Sequence, residues 1–253
     1  MDPHHMKNKK ITTILIICLL VTVSSLIILV EATNDNNKEN SNIKEYVWKY
    51  SGTEFKLTVD LNDIDLDFYS NADRQPNTDE NYRGSNIIDF VADEHSSEIL
   101  TVISEKLIES YEEKYNIQTL GQDYADFVLS FIQSNFQYEL DFMLYHSPDY
   151  IAYSIETIVN GAGDCEDFSV LYSSIMYESG FNAGIVVYRN HIISAIELDT
   201  FEEKDNNYEL SVFYQEINIY YGCETTPGPY IPVGYIDSTL TGDYIGRLYV
   251  KEH

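Results

Sequence analysis

A single cysteine stands where nucleophilic chemistry is expected. Gly161-Ala162-Gly163-Asp164-Cys165-Glu166-Asp167-Phe168-Ser169 is a flexible turn that runs into a helical pattern. Phe168, Leu171, Tyr172 and Ile175 recur at helical spacing, and Gly180 stands where a C-terminal cap falls. A cysteine that opens a helix meets unpaired N–H groups and the positive end of the helix dipole, and both favour the thiolate. The glycines before it leave room for the backbone of a substrate. The chemistry implied is attack by Cys165 on an electrophilic carbon. It needs a base within reach, and an acid or amide that orients the base.

Of six histidines, His4 and His5 lie at the N-terminus and His253 ends the chain, which leaves His95, His146 and His191. His191 opens a strand directly after the turn Arg189-Asn190, 26 residues beyond Cys165. A helix and one short strand return the chain to the start of the helix over that length, so His191 is the predicted base. The third member is sought in Tyr220-Tyr221-Gly222-Cys223-Glu224-Thr225-Thr226, which ends a strand. Alternation puts Glu224 on the face of Tyr220 and Gly222, with Cys223 pointing away. There Glu224 can accept a hydrogen bond from the far nitrogen of His191, with Gly222 leaving room. Cys223 reads as a small buried residue; a Cys165–Cys223 redox pair that switches activity off is the alternative.

The elements that must hold these residues follow from periodicity. Ile43 to Leu66 alternates, with Tyr46, Trp48 and Tyr50, then Phe55, Leu57 and Val59, around Ser51-Gly52. This predicts a hairpin with an aromatic face. Asp60 to Asn86 reads as an acidic loop. A helix starts at Ser96-Ser97 with Ile99, Ile103, Leu107 and Tyr111 along one face, and a second covers Asp123 to Asn135. Tyr138 to Tyr153 reads as a tyrosine-rich loop. After Gly180 the period becomes 2, and Ala183–Tyr188, His191–Leu198, Tyr208–Tyr214 and Ile217–Glu224 read as four antiparallel strands. Helices followed by an antiparallel sheet make an α+β fold.

The compartment is read from the N-terminus. Residues 11–30 are uncharged and rich in Ile, Leu and Val, enough to cross a bilayer as a helix. Lys7, Lys9 and Lys10 precede them and Glu31, Asp35 and Glu39 follow, which keeps the N-terminus in the cytoplasm and the remainder outside. A signal peptide cleaved near Val30-Glu31-Ala32 is the alternative, and it leaves the domain equally extracytoplasmic. The chain thus divides into a cytoplasmic N-terminus (1–10), a transmembrane anchor (11–30), a polar linker (31–42), a leader of hairpin and loop (43–95) and a catalytic domain (96–253).

Composition excludes several partners. With 15 Lys and Arg against 42 Asp and Glu, the formal charge is −27 at pH 7, a field that repels nucleic acid. Three cysteines, one of them (Cys18) inside the apolar segment, make no disulfide scaffold. No C-x-x-C or His-rich cluster occurs, so no structural zinc is expected; the acidic surface leaves calcium conceivable, but without a D-x-[DN]-x-[DN]-G loop no metal site is assigned, and no cofactor is expected.

Gly-Asp-Cys-Glu-Asp, a histidine opening a strand, and Tyr-Tyr-Gly-Cys-Glu-Thr-Thr closing a later one together resemble the transglutaminase-like superfamily, most closely a membrane-anchored archaeal and bacterial branch. Tyr46-x-Trp48-x-Tyr50, Phe131-Ile132-Gln133-x4-Tyr138, Ile155-Glu156-Thr157-Ile158 and Ile231-Pro232-Val233-Gly234-Tyr235-Ile236 extend the resemblance over roughly residues 43 to 240. It implies a papain-like core and a Cys165–His191–Glu224 triad, with Glu224 where the superfamily more often has Asp. It implies Gln133, together with the Cys165 N–H, as oxyanion donor; an exposed helix glutamine is the alternative for Gln133. Asn190 stands where the pattern has Gly. The activity implied is attack on an amide or isopeptide bond through a thioester, ending in hydrolysis or acyl transfer, on peptides or proteins at the cell surface. A surface binding module on the same fold, without catalysis, is the competing expectation.

Overall fold

The alternating segment forms strands β1 (Ile43–Tyr50) and β2 (Thr53–Asp60), paired antiparallel with Trp48 opposite Phe55. Ser51 and Gly52 connect them, both at positive φ (46° and 76°), the two-residue turn whose twist suits a hairpin. Tyr46, Trp48, Phe55, Leu57 and Val59 are buried. The computed structural model describes residues 42–253 except 63, 65–68, 70–85, 95, 205–206 and 243–244. The expected anchor at 11–30, Cys18, residues 31–41 of the linker, most of the acidic loop and His95 lie outside the described residues. Among the described residues no helix is long and apolar enough to cross a membrane.

The hairpin's aromatic face packs on the helices. Helix α1 (Ser97–Tyr115) buries Leu100, Ile103 and Leu107, and α2 (Gln122–Asn135) is buried on nearly every side. Trp48 meets Phe131 with ring centroids 5.1 Å apart, and Phe55 meets Phe127 at 4.8 Å. Edge-to-face pairs of this kind add to simple burial. The hairpin and the helices therefore share one core within a single unit spanning Ile43–His253.

The stretch read as loop between Tyr138 and Tyr153 is more ordered than its sequence indicates. Strand β3 (Gln137–Tyr138) leads to a short helix α3 (Asp141–Tyr145) and then to α4 (Ser154–Asn160). β3 pairs in parallel with β4 (Ala162–Gly163), through Gln137 N–H to Gly161 O (3.0 Å) and Glu139 N–H to Gly163 O (2.8 Å). Two-residue strands carry no periodic signal; only the tertiary pairing defines them.

Helix α5 (Cys165–Glu178) lies at the centre, with Phe168, Leu171, Tyr172 and Ile175 buried. It ends as the sequence predicts: Gly180 has φ +92°, its N–H meets Tyr177 O, and the Phe181 N–H reaches back to Met176 O at 3.0 Å. This is a Schellman termination, which needs a left-handed residue at Gly180.

The sheet follows: β5 (Ala183–Val187), β6 (Ile192–Glu197), β7 (Glu209–Leu210), β8 (Val212–Gln215), β9 (Asn218–Cys223), β10 (Tyr235–Ile236) and, after the short helix α6 (Ser238–Thr241), β11 (Arg247–Lys251). Five strands form one antiparallel sheet in the order β11-β5-β6-β9-β8, so the α+β class holds. Two features differ from the expected four strands. The third strand divides at Ser211, so that β7 pairs with β10 while β8 pairs with β9. The C-terminal segment adds β11 at the edge beside β5, a strand absent from the sequence reading.

Candidate active site

Cys165 is the first residue of α5, and the turn before it is fixed by Asp167. Its Oδ2 accepts the Asp164 N–H (3.3 Å), and its Oδ1 accepts the Ala152 N–H (2.8 Å), tying the helix start to the segment before α4. A Cβ on Gly163 would lie 2.7 Å from the Asp167 Cβ. Gly163 is therefore needed for the close approach of Asp167, and the reading of Gly163 as clearance for a substrate is corrected accordingly.

His191 immediately precedes β6 and Glu224 immediately follows β9; both are buried. Their side chains meet, His191 Nε2 to Glu224 Oε2 at 2.7 Å, while Glu224 Oε1 accepts the Thr226 N–H at 3.0 Å. With Nε2–H given to the carboxylate, Nδ1 is the basic nitrogen. Cys165 and His191 line one cavity of about 310 Å³, with Tyr138, Asp141, Glu166 and Asn190 among the other walls. The structure thus brings Cys165, His191 and Glu224 into one neighbourhood.

Gln133 stands apart from that cavity. Its Nε2 donates to Glu224 O (2.6 Å) and to Ile231 O (3.4 Å). An amide nitrogen has two N–H donors, and both are spent on the chain that carries Glu224. Gln133 is buried, not an exposed helix residue, and it positions Glu224 from behind; the oxyanion assignment is corrected on this ground. Gly222 likewise makes room for something else. A Cβ there would lie 2.4 Å from Ser211 Oγ, so its absence admits Ser211. Cys223 is fully buried in the main core, and burial pushes its thiol well up. His146 lies exposed at the end of α3.

The electrostatics of the thiol differ from expectation. Cys165 Sγ donates to Glu166 Oε2 at 3.0 Å. Burial, then the charges of Glu166 and Asp164, push the Cys165 thiol well above its usual range, and the Ile192 N–H offsets only part of this. This differs from the expected standing thiolate at a helix N-terminus: desolvation first, and then the two neighbouring carboxylates, favour the protonated thiol. A nucleophile in this setting loses its proton to a base as it attacks.

Two further residues belong to the site. Ser169 lies one turn below Cys165, and its Oγ contacts Cys165 O (2.6 Å), Ile192 O (3.2 Å) and Thr225 Oγ1 (3.0 Å). It therefore touches the helix, the strand after His191 and the residue after Glu224. Its i+4 spacing from Cys165 was the available signal. Tyr138 borders the cavity, where burial and the nearby Cys165, Asp164 and Glu166 hold its phenol well above the usual range, so that it remains an O–H donor. Its place in the motif that begins at Phe131 assigned it no role, since β3 exists only through its pairing with β4.

No protein-family model matches the chain, and no curated protein matches it.

Proposed function

We propose that this chain is a cysteine enzyme that opens amide or isopeptide bonds through a thioester. The observation that carries the reading is the buried 2.7 Å contact of His191 with Glu224 beside the cavity that Cys165 also lines. His191 Nδ1 takes the thiol proton as Cys165 attacks the carbonyl carbon, and Glu224 stabilises the imidazolium that forms. The imidazolium then protonates the leaving amine, whose C–N bond breaks, leaving the acyl group on sulfur. Water attacks next in hydrolysis, or an amine in acyl transfer, and the thiol is restored. The Tyr138 O–H and the Cys165 N–H are the candidate donors to the oxyanion. The resemblance in sequence to the transglutaminase-like superfamily and its papain-like core supports this reading. The apolar stretch at 11–30 supports a membrane-anchored, extracytoplasmic domain acting on surface peptides or proteins, and the acidic surface argues against nucleic acid.

The test is acylation by p-nitrophenyl acetate, followed by intact mass and peptide mapping in acid. Acetyl on Cys165 is expected, slowed by on the order of 100-fold in His191→Ala, the usual scale for loss of a general base. Equal acylation of wild type and His191→Ala would overturn the proposal.

A second reading has its own observation. The thiol keeps its proton and donates it as a hydrogen bond to Glu166 Oε2, which suits a surface binding module on the same fold. It predicts no acyl-enzyme at any pH at which the protein stays folded.

A further inference from the structure

Asp126 on α2 and Lys204, in the segment between β6 and β7, meet side chain to side chain. Lys204 Nζ contacts Asp126 Oδ2, and Asp123 Oδ1 stands 3.4 Å from the same nitrogen. Asp126 is fully buried, whereas Asp123 is exposed. The segment that carries Lys204 is itself held in place. Gln122 Nε2 donates to Glu202 O (3.0 Å), and the Glu202 N–H returns to Gln122 Oε1 (2.8 Å). The Lys204 N–H donates to the Tyr235 hydroxyl at 2.7 Å.

The two oxygens of Asp126 have different surroundings. Oδ1 accepts the Val233 N–H (2.7 Å) and the Tyr230 O–H (2.8 Å), whereas Oδ2 faces the amine. Two donors on one carboxyl oxygen form an oxyanion hole, and the amine beside the other oxygen is a nucleophile already in place. Burial pushes the Asp126 carboxyl up, against the pull of Lys204 and both donors, and so toward the acid whose hydroxyl can leave. Burial draws the Lys204 ammonium down, but its hydrogen bond and charge contact with Asp126 more than restore it, so the pair starts charged. Charges taken out of water carry a desolvation cost that a neutral amide does not.

We propose that Lys204 Nζ and Asp126 Cγ condense into an intramolecular isopeptide bond. The ammonium passes one proton to Asp126 Oδ2, which leaves a neutral amine beside a carboxylic acid. The nitrogen lone pair attacks Cγ, and Oδ1 takes the negative charge, held by the Val233 N–H and the Tyr230 O–H. Asp123 removes a second proton from the nitrogen and returns it to the Oδ2 hydroxyl. The Cγ–Oδ2 bond breaks, one water leaves, and an amide with a single N–H remains. Groups held in register react with effective molarities of up to about 10⁵–10⁸ M, which supplies rate without an activated ester. The bond staples α2, before Cys165 and His191 in the chain, to the segment after them. It narrows the unfolded ensemble as a disulfide does, in a chain whose described cysteines, Cys165 and Cys223, are both free. None of these steps uses Cys165, so the bond forms whether or not the thiol is catalytic.

The experiment is a chymotryptic digest of the full chain, denatured and reduced, read by tandem mass spectrometry. A branched peptide joining Ala125–Phe127 to Glu202–Tyr208, lighter by one water than the two together, is expected. Lys204→Arg keeps a cation for Asp126, but its guanidinium stays charged and does not condense. It should release the two peptides separately, retain the wild-type circular dichroism and unfold at lower urea. Asp123→Asn should leave part of the chain unlinked, and Cys165→Ala should link as the wild type does. Two separate peptides of full mass from the wild type would overturn the bond and leave an ion pair. A link that disappears in Cys165→Ala would overturn self-condensation, because the thiol would then be its catalyst. A link that persists in Lys204→Arg would overturn the assignment to Lys204. The wild-type digest tests the bond even where a variant fails to fold. Acylation of Cys165 is read separately, so failure of the bond and failure of the catalytic reading remain distinct.

Discussion

Ser169 Oγ and Thr225 Oγ1 stand 3.0 Å apart, and this contact joins the helix that Cys165 opens to the chain that carries Glu224. The same oxygen reaches Cys165 O and Ile192 O. Ser169→Ala should lower stability by about 1–3 kcal/mol, because it leaves buried Thr225 without this partner. Acylation of Cys165 should slow as well, as His191 and Glu224 lose their register against α5. Urea unfolding and the acylation rate, measured side by side, check both. A stability loss with an unchanged rate would make Ser169 structural only.

Glu224 offers two different substitutions. Glu224→Gln preserves an acceptor for His191 Nε2–H but removes the charge that stabilises an imidazolium. Acylation should fall on the order of 100-fold with little change in melting temperature. Glu224→Ala also strands the buried histidine, and should add a stability loss of about 1–3 kcal/mol. Rate and thermal denaturation together separate charge from packing.

Tyr138→Phe deletes one O–H from a residue that is half exposed. If that hydroxyl donates to the oxyanion, turnover should fall by about 10²–10³-fold without a matching change in KM. The melting temperature should stay as it was. Unchanged turnover would remove Tyr138 from the site and leave the Cys165 N–H as the candidate.

Gly222→Ala should be costly for a steric reason, since the new Cβ meets Ser211 Oγ at 2.4 Å and Ile193 Cδ1 at 3.0 Å. Overpacking of this kind costs about 1–3 kcal/mol, and here it also displaces the strand end that leads to Glu224. The double variant Gly222→Ala, Ser211→Gly should recover most of the stability in a urea titration. No recovery would show that the glycine serves something other than Ser211.

Alkali should unfold the protein cooperatively. Burial raises the phenols of Tyr46, Tyr50, Tyr124 and Tyr230, with Asp126 and Asp123 adding at Tyr50, and raises Tyr111 to about 12. A raised folded pKa means stability that is complete below the unfolded value of about 10 and lost as pH climbs toward the folded value. Tyrosinate absorbance should therefore rise in one step together with loss of helical circular dichroism above about pH 10. Gradual ionisation with the helices intact would contradict this.

Much of the architecture was legible because it rests on local periodicity. The hairpin of Tyr46, Trp48 and Phe55, the face of Ile99, Ile103 and Leu107, and the capped helix from Cys165 to Gly180 each repeat a spacing that burial demands. α3, β3, β4 and β11 were not legible, because short elements take their conformation from partners distant in the chain. The contact of His191 with Glu224 was legible from strand alternation, whereas the work of Gln133 was not. Its donors reach Glu224 O and Ile231 O only once α2 lies behind the end of β9.

The sequence by itself determined the elements that repeat, the acidity of the chain and the three residues able to form a nucleophile, a base and an orienting acid. Periodic burial and residue chemistry are local properties, so one chain read in order contains them. The tertiary structure alone decided the ionisation of Cys165. That depends first on how much water burial removes, and then on how closely the folded turn holds the carboxylates of Glu166 and Asp164 to the sulfur. Coulomb energy depends on distance in space and on the surrounding dielectric, and neither is written along the chain.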